Sequence, residues 1–180
     1  NMAFNTFADF NTGKYKIAQD NFSQATLTAY ITKFEKRYLQ DLMGIELYNL
    51  FVADLSGNVP QATKFLDIYN EFAEDDDGLA SGLSGLSSMQ NKIVRSEGIK
   101  EMLKGFIFFE YNRDLPVKNT MTGNVQEDNE NSKVLTSLKA GITEKYNEAI
   151  ATYKAIQWKI SEDSTTYPEY NGVCKEIIWI

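Results

Sequence analysis

Histidine is absent from the 180-residue sequence, and Cys174 is its only cysteine. The first absence removes the commonest general base, the Ser-His-Asp and Cys-His arrangements, and every His-containing metal site. The second excludes an internal disulfide and a CxxC zinc site, and leaves Cys174 to be read as a small hydrophobe in a reducing compartment. Long apolar runs are missing as well. No apolar run is longer than four residues, as in Phe106-Ile107-Phe108-Phe109, against the ~20 residues a membrane span needs, so no transmembrane helix and no membrane partner are expected. No charged-then-apolar leader pattern opens the stretch that begins at Asn1, so no signal peptide is expected there. Positive charge is in deficit: 18 Lys and Arg against 25 Asp and Glu give a net charge of −7. Tight nucleic-acid binding depends on Lys and Arg at phosphates. A chain this acidic is a poor candidate for it, although it could sit near DNA if its task were to avoid sticking.

What the chain does have is material for a core. With 43% hydrophobic and 13% aromatic residues, it reads as one ordered domain. Residues 1–22 look irregular or extended, an arm with Phe4, Phe7 and Phe10 as isolated anchors. Such an arm either tucks onto its own core or lies on a neighbour, and the sequence weighs the two equally. Asn21 or Ser23 is placed to cap a first helix. Leu27, Tyr30, Ile31, Phe34, Tyr38 and Leu42 then recur at steps of three and four, one face of an amphipathic helix. Gly44 interrupts it, and a short helix restarts with Leu47, Phe51 and Leu55 inward. Ser56-Gly57-Asn58-Val59-Pro60 reads as a turn. A third helix is expected over 61–74, burying Ala62, Phe65, Leu66, Tyr69 and Phe72. The stretch "EDDDGLASGLSGLSS" reads as a connector. A fourth helix is expected from about Gln90 to Asn112, with Ile93, Ile99, Leu103, Phe106, Ile107 and Phe109 in the core. Gly98 and Gly105 either weaken it or allow close helix approach. The longest pattern, Leu135 through Ile160, holds helical spacing for almost eight turns, roughly 45 Å at 1.5 Å per residue. The expected fold is therefore all-α, a bundle of about five helices over 23–161, flanked by the arm and by a C-terminal tail over 162–180.

Chemistry is harder to find. Placing Gly78 at the sixth position of an EF-hand loop puts Ala73 and Ser84 where the first and last ligands belong, so the acidic run Glu74–Asp77 reads as a solvated loop. Glu97 and Glu101 share a helix face, but bundle di-metal sites need Glu-x-x-His; Lys104 beside them suits surface ion pairing. The glycines at 78, 82 and 85 match neither GxGxxG nor a P-loop. No catalytic residue, metal ligand or cofactor is assigned, and no enzyme is expected. A metal-dependent enzyme using carboxylates alone, with Glu74–Asp77 as ligands, is the least favoured reading. What remains is interaction surface: the Phe4, Phe7 and Phe10 arm, the polar loop 114–131, and the tail with Tyr167, Tyr170, Ile177, Ile178 and Trp179. Long loops without secondary structure usually have a function or are disordered, and an apolar terminal strand can add to a neighbour's sheet edge or fill its groove.

Two stretches carry a resemblance. "LTAYITKFEKRYLQDLMGIELYNLF" resembles the opening of the helical head–tail connector (adaptor) proteins of tailed bacteriophages: a helix with an acidic-basic-Tyr-Leu segment, then Leu-x-Gly, then a short helix with Leu-Tyr-x-Leu-Phe. "IKEMLKGFIFFEYNRDLPVKNTMTGNVQEDNENS" is similar to their later helix, ending in aromatics and Arg, followed by a polar loop with a Thr-x-x-Gly-Val-type turn, here Thr120 to Gly123 and Val125. The two cover about a third of the chain, and the likeness is strongest to adaptors of podovirus-like phages, including the crAss-like group. The resemblance implies a non-enzymatic virion protein at the head–tail junction, a homo-oligomeric ring, commonly twelvefold, beneath the portal protein. Such a ring extends the DNA channel without binding DNA specifically and docks the next tail or ring protein. The arm, the turn at Thr120, Gly123 and Val125, and the tail would contact neighbours. The long insertion before the fourth helix and the long aromatic tail depart from the simple adaptor. The alternative reading is a helical protein-binding module without catalytic activity.

Overall fold

The computed structural model describes residues 3–17, 23–75, 93–114, 118–120, 123–125 and 132–172. The fold is mostly helical, with four α-helices, a single 3₁₀ turn and three two-stranded antiparallel hairpins among those residues. The hairpins depart from an all-α reading.

Helix α1 (Gln24–Ala53) starts at Ser23, whose Oγ accepts the Thr26 N–H. Of the two residues the sequence offered as its cap, Ser23 is the one that caps. The apolar stripe goes inward as its spacing requires: Leu27, Ile31, Phe34, Tyr38 and Leu42 are buried, with Leu39 and Met43 beside them. Gly44 breaks the helix with φ 74 and ψ 168. An L side chain avoids that conformation, and a glycine takes it freely. Beyond the kink Leu47, Tyr48 and Phe51 turn back to the core. The chain then reverses through a hairpin of β1 (Leu55–Ser56) and β2 (Val59–Pro60). Gly57 and Asn58 both have positive φ, 59 and 65, as a two-residue type I′ turn demands.

Helix α2 is shorter than its sequence pattern, Thr63–Tyr69. The Asp54 carboxylate accepts the N–H groups of Gln61 and Ala62 just ahead of it. Asn70 leaves the helix, and Phe72 lies in strand β3 (Phe72–Asp75), paired with β4 (Ile93–Ser96) in the register Phe72↔Ser96 to Asp75↔Ile93. The expected helical start at Gln90 is thus replaced, at least from Ile93, by a strand, and Ile93 is exposed, not core. Helix α3 runs Ile99–Asp114. Gly98 is its hinge residue, not an interior one: φ is +86, and a Cβ there would sit 2.7 Å from the Tyr69 carbonyl oxygen. A hairpin of β5 (Lys118–Thr120) and β6 (Gly123–Val125) follows, and helix α4 (Ser132–Glu162) closes the order.

α1, α3 and α4 form the centre. Tyr30 meets Tyr111, and Tyr38 stacks on Phe106 with ring centroids 4.1 Å apart. Phe106 in turn touches Tyr146 and Tyr153 of α4. With Phe109 on Tyr146 and Gly105 beside Ala149, α3 runs antiparallel to both neighbours. Gly105 lets α4 approach: an added Cβ would lie 2.7 Å from Ala149 Cβ. No helix of the described residues is long and apolar enough to cross a membrane.

Candidate functional site

The N-terminal segment is part of the core. Phe10 is fully buried, Phe4, Tyr15 and Ile17 nearly so, and Phe7 packs half-buried against them. Of the two fates the sequence left open for the arm, this chain adopts the tucked one over residues 3–17. Phe4 and Phe10 are therefore core side chains in this fold. The segment's 3₁₀ turn (Phe7–Phe10) is closed by Thr6 and Asp9, and Asp9 is paired with Lys100 of α3.

What holds the segment is the acidic residue of the stretch Glu35-Lys36-Arg37-Tyr38-Leu39, to which the sequence assigned no role. Glu35 is completely buried on the inner face of α1. Its Oε2 accepts the Phe4 N–H at 2.9 Å, and its Oε1 accepts the Asn5 N–H at 2.8 Å and the Asn5 Nδ2 at 3.0 Å. Asn5 also donates to the Lys100 carbonyl. Burial pushes the Glu35 carboxyl up to about 7, against the pull of the three donors. A second buried carboxylate, Glu110 of α3, accepts the Tyr38 hydroxyl at 2.8 Å and pairs with Arg113. Burial first, and then this acceptor, hold the Tyr38 hydroxyl far above the ordinary tyrosine range.

The tail is likewise anchored. Tyr167 is buried, and its hydroxyl donates to the Lys64 carbonyl at 2.6 Å. Tyr170 is half-buried against the core. Tyr167 is thus a core residue rather than a free contact. Ile177, Ile178, Trp179 and Cys174 lie outside the described residues. Thr120 pairs with Gly123, and Lys118 with Val125, across the β5–β6 hairpin. The turn motif therefore marks a hairpin between the two central helices α3 and α4, and only its backbone is described.

Much of the surface charge is paired: Lys14 with Glu97 and Glu148, Arg113 with Glu110 and Asp114, and Lys64 with Glu169. On the outer face of α1, Lys33, Lys36 and Arg37 are exposed while the only acid before Asp41, Glu35, is buried. Lys33 lies over the Phe34 ring, Arg37 reaches Asp41 only at 3.9 Å, and Arg113 at the end of α3 is exposed nearby, close enough with Arg37 to act on Tyr146. At the other end of the helices, Asp67, Glu71, Glu162 and Asp163 are exposed, and Asp67, Asp163 and Glu74 bear on Tyr167, whose hydroxyl burial chiefly drives upward. With 1.5 Å per residue, Glu162 stands roughly 24 Å along α4 from Tyr146.

Glu97 does not share a helix face with Glu101: it precedes α3 and meets Lys14, while Glu101 pairs with Lys104. Among the described residues no group of three or more His, Cys, Asp or Glu side chains could hold a metal ion. No family model, curated protein or solved structure matches the chain.

Proposed function

We propose that this chain is a structural virion protein that forms an oligomeric ring, commonly twelvefold in the resembled family, between the portal and the tail of a tailed bacteriophage. In that role it extends the DNA channel, meets the portal protein on one side and docks the next tail component on the other. The motifs of α1 and of α3 with its following hairpin are the basis of this reading. A small helical bundle of the adaptor kind is compatible with the four helices of the described residues, the first of them kinked at Gly44.

One observation beyond the resemblance supports it: Lys33, Lys36 and Arg37 are exposed on α1, and the carboxylates of Asp67, Asp163 and Glu74 act on Tyr167. Opposite charge on different elements suits a heterologous, head-to-tail contact, the kind that closes into rings. A net charge of −7 suits a wall past which DNA slides without being held.

The test is native mass of the purified chain, alone and after mixing with portal rings of the same virus. A monomer that adds at about one copy per portal subunit is the expected result. A chain that ignores the portal but is found in imaged virions would belong to a ring further down the tail. One that does neither would be a helical protein-binding module instead.

A further inference from the structure

Glu35 is unusual in having three donors and no counter-charge. Every group that meets its oxygens belongs to Phe4 or Asn5. From the N-terminal segment Asp9 adds negative potential. From α3, Lys100 and Lys104 direct their ammonium groups to Asp9 and Glu101. From α1 itself the nearest cations in sequence, Lys33, Lys36 and Arg37, are exposed on the opposite side. The Phe4 ring lies against Phe51 and Tyr69 at centroid distances of 5.8 and 5.9 Å. A desolvated carboxylate without a cation is costly, and protonation is the usual relief.

A protonated carboxyl needs an acceptor, and the site holds one in reserve. Asn5 is 1% exposed, and its Oδ1 has no hydrogen-bond partner while its Nδ2 faces Glu35 Oε1 at 3.0 Å. Half a turn of that amide exchanges donor for acceptor at the same place. The hydrogen bond to the Lys100 carbonyl is lost, but that carbonyl lies in the first turn of α3. The backbone of neither segment has to move.

We propose that Glu35 and Asn5 form a proton-operated latch, in which docking of residues 3–17 takes up one proton on the Glu35 carboxyl and ionisation of that carboxyl loosens the segment. Loosening uncovers Phe51 and Tyr69. The sign follows from linkage. A carboxyl raised from 4.5 to about 7 by burial binds a proton on docking between those values. Docking is therefore tightest below the lower value and weakens as the pH climbs through the upper one. The full effect on the docking constant is about 300-fold, a factor of about ten for each pH unit between the two values. This inference stands apart from the ring reading.

The experiment is a titration of the full-length chain by NMR, following the Glu35 side-chain carbon and amide exchange, corrected for intrinsic rates, from about pH 5 to about pH 8.5. The Glu35 carbon should titrate near 7. Protection at Phe4, Asn5 and Ile17 should fall over the same range, while protection at Phe106 stays level. Glu35→Gln should abolish the pH dependence at those three amides. Asn5→Asp places a second carboxyl at the same spot and should move the midpoint upward, so the idea remains testable if Glu35→Gln does not fold. A wild-type carbon titrating near 4.5, or segment protection that is flat with pH, would overturn the latch and leave Glu35 as a permanently ionised clamp. An unmoved midpoint in Asn5→Asp would also overturn it.

Discussion

Adding a Cβ at Gly105 would bring it within 2.7 Å of Ala149 Cβ and 3.1 Å of the Lys145 carbonyl oxygen. Real Cβ contacts are not that short, so α4 would have to shift. Helix propensity favours alanine by about 1 kcal/mol and overpacking costs about 1–3 kcal/mol. Gly105→Ala should therefore be destabilised by roughly 1 kcal/mol, and Gly105→Val by more, read from urea midpoints at constant slope. Tyr38→Phe tests the other buried acid: removing the hydroxyl leaves Glu110 with one donor fewer in a dry site. The expected loss is about 1–3 kcal/mol, and no change in the urea midpoint would mean that Arg113 alone satisfies Glu110. Glu110 and Glu35 were both visible as letters, but not as buried groups. For Glu35 a signal existed: it stands four after Ile31 and one after Phe34, on the apolar stripe. A charge in the stripe can mean a ragged face or a buried acid, and only the Phe4 and Asn5 amides, about thirty residues away in sequence, decide between them.

At the scale of elements, the tail splits in two. Tyr167 is wedged against α2, so truncation before it should cost stability; Tyr167→Ala should lose about 3–5 kcal/mol as a buried aromatic does. Removing residues 173–180 alone should leave far-ultraviolet circular dichroism and the thermal midpoint nearly unchanged, and a collapse of either would make that segment part of the core. Replacing 117–130 by a short Gly-Ser linker should also spare the helical signal, because the described interactions that unite α3 with α4 lie further along both helices. Aggregation of that variant would show that the hairpin covers apolar surface. The β3–β4 pair was the main element the periodicity missed. Ile93 and Val94 continue an apolar spacing into α3, and Phe72 continues one out of α2. The contrary signals, two adjacent β-branched residues and Gly98, are local and weak. Pairing between strands separated by a long insertion is a non-local fact, which no window of residues reports. The β1–β2 turn was legible because Gly57-Asn58 dictates its own backbone geometry.

Across the whole molecule, the charge pattern gives the ring reading its sharpest consequence. Lys33→Glu, Lys36→Glu and Arg37→Glu together should leave the fold intact, since all three are exposed, yet abolish assembly on the portal in native mass spectra. Wild-type assembly should weaken with salt over the range where the Debye length drops from about 10 Å to about 3 Å. Salt-independent assembly would assign the contact to apolar surface. The sequence by itself determined the helical class, the inward stripes of α1, α3 and α4, a cap at Asn21 or Ser23, the break at Gly44 and the exclusion of histidine chemistry. Each is a matter of spacing, or of one residue's own conformational preference. Tertiary structure alone decided that the N-terminal segment is core, that Tyr167 is an anchor and that Glu35 is dry. Burial and electrostatic environment depend on what distant parts of the chain bring to a residue, and a linear pattern contains only its neighbours.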